Sequence, residues 1–150
     1  MIENIEIRKA RIEDIQFVLN LYGQMDTGKD EMLSLEDAHK MFNKFSTYPN
    51  YSLYVALIDD KVVGTFELLI MDNFGHKGTP SGIVEDVVVD ENYRSKGIGV
   101  KMMEHAINVC MEFGCYKLTL SSNLKRERAH KFYENFGFKK HGYSFLMEIL

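Results

Sequence analysis

Val87-Val88-Val89-Asp90-Glu91-Asn92-Tyr93-Arg94-Ser95-Lys96-Gly97-Ile98-Gly99 passes from an apolar β-forming run through a polar turn into the start of a helix. The three valines read as a buried strand. Glycines at 97 and 99 allow backbone N–H groups to come close to an anion, and the positive end of the following helix adds an attraction of about 0.3–1 kcal/mol. Arg94 and Lys96 add charge at the same turn. The spacing is not a P-loop, because G-x-x-x-x-G-K-S/T is absent, and not G-x-G-x-x-G, because Met102 stands where the third glycine would be. Taken alone, the stretch also fits a turn that glycine merely shapes.

Upstream of this stretch, residues 3 to 9 read as a first strand, and Ile12, Ile15, Leu19 and Tyr22 recur at helical spacing until Gly23 and Gly28. Ser34, followed by Glu36, Asp37, Met41 and Phe42, predicts a capped second helix ending before Pro49. Tyr51 to Ile58 and Lys61 to Met71 predict a hairpin turning at Asp59-Asp60, and Gly75 to Gly82 an exposed connection into a strand over Ile83 to Val89. Downstream, Val100, Met103, Ile107 and Cys110 form one helical face, Tyr116 to Leu120 a strand, Ala129, Phe132 and Phe136 another helical face, and Tyr143 to Ile149 a last strand. The order β-α-α-β-β-β-α-β-α-β predicts an α/β (α+β) fold with helices flanking a mixed, mainly antiparallel sheet.

A length of 150 residues with 45% hydrophobic content predicts a single domain over 1–150. No run approaches the roughly 18–20 apolar residues of a membrane helix, and Glu3, Glu6 and Arg8 occupy the place of a signal peptide's apolar stretch. A cytoplasmic protein without membrane association is expected. Cys110 and Cys115 are too few for a disulfide framework or a zinc site, and are expected to stay reduced. The five histidines lack H-x-x-x-H spacing, so no metal is expected. A net charge of −4 argues against nucleic-acid binding; basic residues cluster only locally, at Arg94, Lys96, Lys101 and again at Lys125, Arg126, Arg128 and Lys131. The nine methionines read as core filling, with Met41 and Met71 as alternatives for lining a pocket.

Arg94-Ser95-Lys96-Gly97-Ile98-Gly99 resembles the R/Q-x-x-G-x-G/A motif with which GNAT (GCN5-related) N-acetyltransferases hold the coenzyme A pyrophosphate. Further on, Ser121-Ser122-Asn123 and then Ala129-His130-Lys131-Phe132-Tyr133-Glu134-Asn135-Phe136-Gly137-Phe138 resemble the family's second hallmark. The resemblance spans residues 3 to 149 and is specific from 83 to 138. It implies acetyl-CoA as co-substrate, a small-molecule amine as acceptor, and often a homodimer. Dimerisation would also protect the edge of a strand at 143–149. It further implies that Arg94, Ser95, Lys96, Gly97, Ile98 and Gly99 bind the pyrophosphate, that the backbone of Val87 and Val89 pairs with the pantetheine arm, and that Asn123 and Lys131 contact the cofactor. Asn123 also reads as a helix N-cap, and the two roles are compatible.

By the same resemblance Tyr133 is the proton donor to the departing thiolate; its other reading is a core aromatic on the helix of Ala129, Phe132 and Phe136. A phenol with pKa about 10 stays neutral at pH 7 and can donate. A primary amine is only about one part in a thousand neutral at pH 7, so a base is expected, with Glu85 and Asp86 as candidates. Successive strand residues point to opposite faces, so the two act on one substrate only if the strand is bulged. Glu85 is the preferred base because it shares a face with Val87. A structural role for either acid stays open.

Ser121 to Arg126 with Ala129 to Tyr133 resemble aminoalkylphosphonate N-acetyltransferases, whereas Val84-Glu85-Asp86-Val87 and Gly114-Cys115-Tyr116-Lys117 resemble glucosamine-phosphate N-acetyltransferases. Ile83 replaces an acidic residue of the first group, and Ser121-Ser122 replaces Asp-Cys of the second. Both acceptors carry a phosphorus oxyanion. The expected function is direct transfer of acetyl to a primary amine in a ternary complex. A non-catalytic acyl-coenzyme A sensor is the alternative.

Overall fold

The computed structural model describes residues 4–25 and 32–150, which fall into two compact units, Met1–Thr119 and Leu120–Leu150. The elements are β1 (Glu6–Lys9), a 3-10 turn (Ile12–Asp14), α1 (Ile15–Tyr22), α2 (Leu35–Phe45), β2 (Tyr51–Ile58), β3 (Lys61–Met71), β4 (Ser81–Val89), α3 (Ile98–Glu112), β5 (Leu118–Leu120) and α4 (Glu127–Phe136). The sheet runs β1-β2-β3-β4-β5, and the first three pairings are antiparallel. The chain entering β5 runs in the same direction as the chain entering β4, because Tyr116 N–H donates to the Pro80 carbonyl at 3.0 Å and Gly82 N–H donates to the Lys117 carbonyl at 2.9 Å. This is the mixed, mainly antiparallel α/β fold that the order of elements predicts.

Local chemistry explains the elements. Asp59 and Asp60 both take positive φ, 48° and 62°, which gives the β2–β3 hairpin a turn whose twist matches its strands. Ser34 caps α2, its Oγ accepting from the Asp37 amide at 3.1 Å. Asp14 accepts from Arg8 Nη1 at 2.6 Å and from the Arg11 amide at 2.7 Å, fastening β1 to the turn that leads into α1. Burial opposes its charge, but these donors hold its carboxyl below the ordinary range.

The sheet is covered on both faces. On one, Val18 and Leu21 of α1 pack with Val55, Leu57, Val62 and Val88. On the other, α3 approaches so closely that a Cβ on Gly64 would lie 2.9 Å from the Met102 sulfur, and a Cβ on Gly82 would collide with Cys110 Sγ. A side chain at Gly82 would have to displace Cys110, and one at Gly64 would need the flexible Met102 side chain to yield.

Several expectations need correction. The α3 stripe is set by Ile98, Met102, Met103, Ala106 and Cys110: Met103 and Cys110 lie on it as expected, Ile107 is half-buried, and Val100 is exposed. Met41 and Met71 are exposed, so only some methionines fill core gaps. β5 is shorter than the expected Tyr116–Leu120. Gly28 lies outside the described residues. The expected strand over Tyr143–Ile149 is absent: residues 143–150 have no regular structure, and Tyr143, Phe145, Met147 and Ile149 are 92%, 92%, 81% and 83% exposed. Their period-2 pattern suits a strand, but a strand also needs a partner, and the only regular structure described in Leu120–Leu150 is α4 and the last residue of β5.

Candidate active site

In the first unit, β3 and β4 build an acidic centre around a β-bulge. Glu67 lies opposite Glu85, and Thr65 lies opposite Val88, so β4 carries one residue more than β3 across this interval. Asp86 is where the backbone absorbs it, with φ 48°. Because Thr65 and Glu67 share a face of β3, Glu85 shares its face with Val88. The expected shared face of Glu85 and Val87 is thereby corrected: alternation holds for a regular strand, and the bulge shifts it by one. The same bulge meets the condition under which Glu85 and Asp86 can serve one substrate.

Glu67 joins them. Tyr22 of α1 donates its hydroxyl to Glu67 Oε1 at 3.3 Å, and Tyr51 of β2 donates to Oε2 at 2.9 Å. Burial, together with the charges of Asp86 and Glu85, holds the Glu67 carboxyl above its ordinary range despite these donors. Burial and the neighbouring Asp86 also raise Glu85. Carboxylates facing each other across strands repel, so the protein concentrates negative charge where a cation would relieve it. Sequence reasoning missed Glu67, Tyr22 and Tyr51 as a group. The available signal was a lone acid in the apolar run of Lys61–Met71, which α1 and β2 complete only in space.

Beyond β4 the chain forms an anion-ready turn. Asp90 Oδ1 accepts from the Asn92 amide at 2.9 Å and starts a 3-10 turn over Glu91–Tyr93. Arg94 Nε donates to the Val89 carbonyl at 3.3 Å, and Lys96 Nζ donates to the Asn92 carbonyl at 3.1 Å while lying 5.0 Å from the Tyr93 ring centre. Positive φ at Ser95 (61°) and Gly97 (86°) then turns the backbone into α3, whose N-terminus at Ile98 and Gly99 has no side-chain cap. Uncapped first-turn amides are donors awaiting a partner. An anion there would meet those amides, the helix dipole and two cations. Val87 and Val89, half-buried, lie on the strand that leads into this turn.

The second unit holds the other expected site residues. Contrary to expectation, Asn123 does not cap α4: its Oδ1 accepts from the Lys125 amide at 2.9 Å in a turn, and Arg126 occupies the N-cap position. An Asn side chain two residues from a free amide closes that local ring before a helix can use it. His130 donates from Nε2 to the Asn123 carbonyl at 2.8 Å and ties the turn to α4. Tyr133 packs edge-on to Phe132 and Phe138, with ring centres 5.2 and 5.7 Å apart, and burial raises its phenol pKa. Lys131 is exposed on α4. Ser122 Oγ is buried without a hydrogen-bond partner among the described residues.

The Acetyltransferase (GNAT) family model matches residues 15–138. The chain belongs to this family, and is therefore an acyltransferase of the acetyl-CoA-dependent kind. It is 37% identical over 81 residues to a glucosamine 6-phosphate N-acetyltransferase of Trypanosoma brucei brucei, a match covering 54% of this chain and about half, 53%, of that protein. An Arabidopsis thaliana glucosamine 6-phosphate N-acetyltransferase is 29% identical over 91% of both chains. A crystal structure of the enzyme from that plant superimposes with a TM-score of 0.84 at 26% identity, over 97% of this chain and 99% of the other. The aminoalkylphosphonate N-acetyltransferase of Salmonella typhimurium is 27% identical over 93% of this chain and 88% of its own.

Proposed function

We propose that the 150 residues act as one N-acetyltransferase domain that moves acetyl from acetyl-CoA to the primary amine of a small anionic molecule, an amino sugar phosphate or an aminoalkylphosphonate. The observation that carries this reading is the uncapped N-terminus of α3 behind Arg94, Ser95, Lys96 and Gly97, which offers the donor's pyrophosphate both amides and charge. Likeness to enzymes named for both acceptors supports the phosphorus oxyanion.

The chemistry follows from the carbonyl carbon. The amine nitrogen attacks the thioester carbonyl; a tetrahedral oxyanion forms; the C–S bond breaks and the thiolate leaves with a proton. Strand backbone near Val87 and Val89 supplies amide donors for the arm and the oxyanion, and Asn123 and Lys131 steady the cofactor. Glu85 receives the amine proton, directly or through water, and Tyr133 supplies one to the thiolate. No covalent enzyme intermediate is required. Cys110 is buried, and its thiol is pushed up to about 12, which removes it as a nucleophile at neutral pH.

Glu85→Gln tests the base. Its rate should fall most below pH 7 and recover toward wild type as pH rises, since the amine then deprotonates unaided. Parallel profiles for the two enzymes between about pH 6 and 10 would move the role to Asp86 or a water chain. A homodimer belongs to the same reading. Light scattering should return twice the chain mass, and a monomeric mass would contradict it.

A further inference from the structure

The Tyr22–Glu67–Tyr51 bridge spans three elements, α1, β3 and β2, and its polarity is fixed by chemistry. A phenol oxygen has one proton to give and lone pairs to accept with. Here both protons go to one carboxylate, at 3.3 and 2.9 Å. A carboxylate can only accept, so neither hydroxyl can turn its proton elsewhere without abandoning Glu67. Tyr51 is also held by its ring, whose centre lies 4.2 Å from that of Phe45 on α2. Two acceptor oxygens are thus presented on the α1 face of the sheet, next to the carboxylates that the bulge gathers.

We propose that Glu67 is a positioning residue of the acceptor site: by taking both hydroxyl protons it leaves the oxygens of Tyr22 and Tyr51 as hydrogen-bond acceptors only, so that the site docks the amine in its protonated, three-donor form. The inference rests on the reading of this chain as an amine acetyltransferase and assigns the step before the base acts. The ammonium is held first, by Tyr22 from α1, Tyr51 from β2 and the charge of Glu67 from β3, beside Glu85 and Asp86 of β4. Deprotonation follows. A role limited to fastening would not need the charge: glutamine has the same shape, and its amide could accept from one tyrosine and donate to the other. That substitution reverses the polarity of one hydroxyl while keeping the bridge, which makes it the informative variant.

The test uses the full chain labelled with carbon-13 at the tyrosine ζ position, titrated with ethylammonium chloride at pH 7 without acetyl-CoA. In the wild type the Tyr22 and Tyr51 signals should shift and saturate. Glu67→Gln should weaken that binding at least about tenfold, the cost of losing a charge-assisted contact, with its thermal melt close to wild type. The difference should fade above about pH 10.4, where an alkylamine is neutral, a dependence that fastening alone would not produce. If Glu67→Gln does not fold, Tyr51→Phe, which removes one acceptor oxygen and keeps the ring, should show the same loss. Equal ethylammonium affinity in wild type and variant, or no saturable shift in the wild type, would overturn the proposal. Because no acetyl transfer is measured, intact ethylammonium binding alongside failure to acetylate sugar phosphates or phosphonates would overturn only the substrate reading.

Discussion

Tyr133→Phe should lower turnover by about ten- to a thousandfold while leaving acetyl-CoA affinity nearly intact. The substitution removes one proton donor and keeps the ring, so the edge contacts with Phe132 and Phe138 survive. Burial already holds the phenol above its ordinary pKa, which keeps its proton in place across the working range. No falling alkaline limb from Tyr133 is therefore expected near neutral pH. If Tyr133 served only as an aromatic of the α4 cluster, kcat would stay close to wild type and any loss would appear as a lower melting temperature. Steady-state kinetics and thermal melting on the same preparation separate the two roles.

Gly99→Leu should have the opposite profile, weakening acetyl-CoA binding greatly while the fold survives. Gly99 sits in the first turn of α3, and its φ is not among the positive values, so leucine can adopt its backbone conformation. Exchanging a helical glycine for leucine should raise helix stability by about 0.5–1 kcal/mol. The same side chain would stand over the first-turn amides. Losing even one charge-assisted bond to a phosphate oxygen costs about 1.5–3 kcal/mol, or roughly 10- to 150-fold in affinity. Calorimetry with acetyl-CoA should show that loss in a protein that melts no lower than wild type. Unchanged affinity would remove the pyrophosphate from residues 94 to 99.

How legible the molecule was depended on how local its causes are. The hairpin at Asp59-Asp60, the Ser34 cap and the glycine turn into α3 were readable because a few adjacent residues determine them. The α3 stripe was readable at Met103 and Cys110 but not at Met102, which packs against Gly64 of β3, a position remote from it in sequence. The acidic centre shows the same limit more strongly. Glu85 and Asp86 could be proposed from type and spacing, but the bulge that orients them is a matter of register against β3, and Glu67 joins only when α1 and β2 bring two tyrosines to it. The strand expected at 143–149 failed for the converse reason, since alternation was present but no other strand is described within Leu120–Leu150 beyond the last residue of β5.

Release of free thiol from acetyl-CoA, followed across glucosamine 6-phosphate, other amino sugars, aminoalkylphosphonates and simple amines, tests the central claim most directly. The predicted result is thiol release that depends on acceptor, is greatest with an amine that carries a phosphorus oxyanion, and yields one N-acetylated product per thiol. Tight binding of acetyl-CoA with no amine-dependent thiol release from any acceptor would contradict it, and would point to a non-catalytic acyl-CoA sensor.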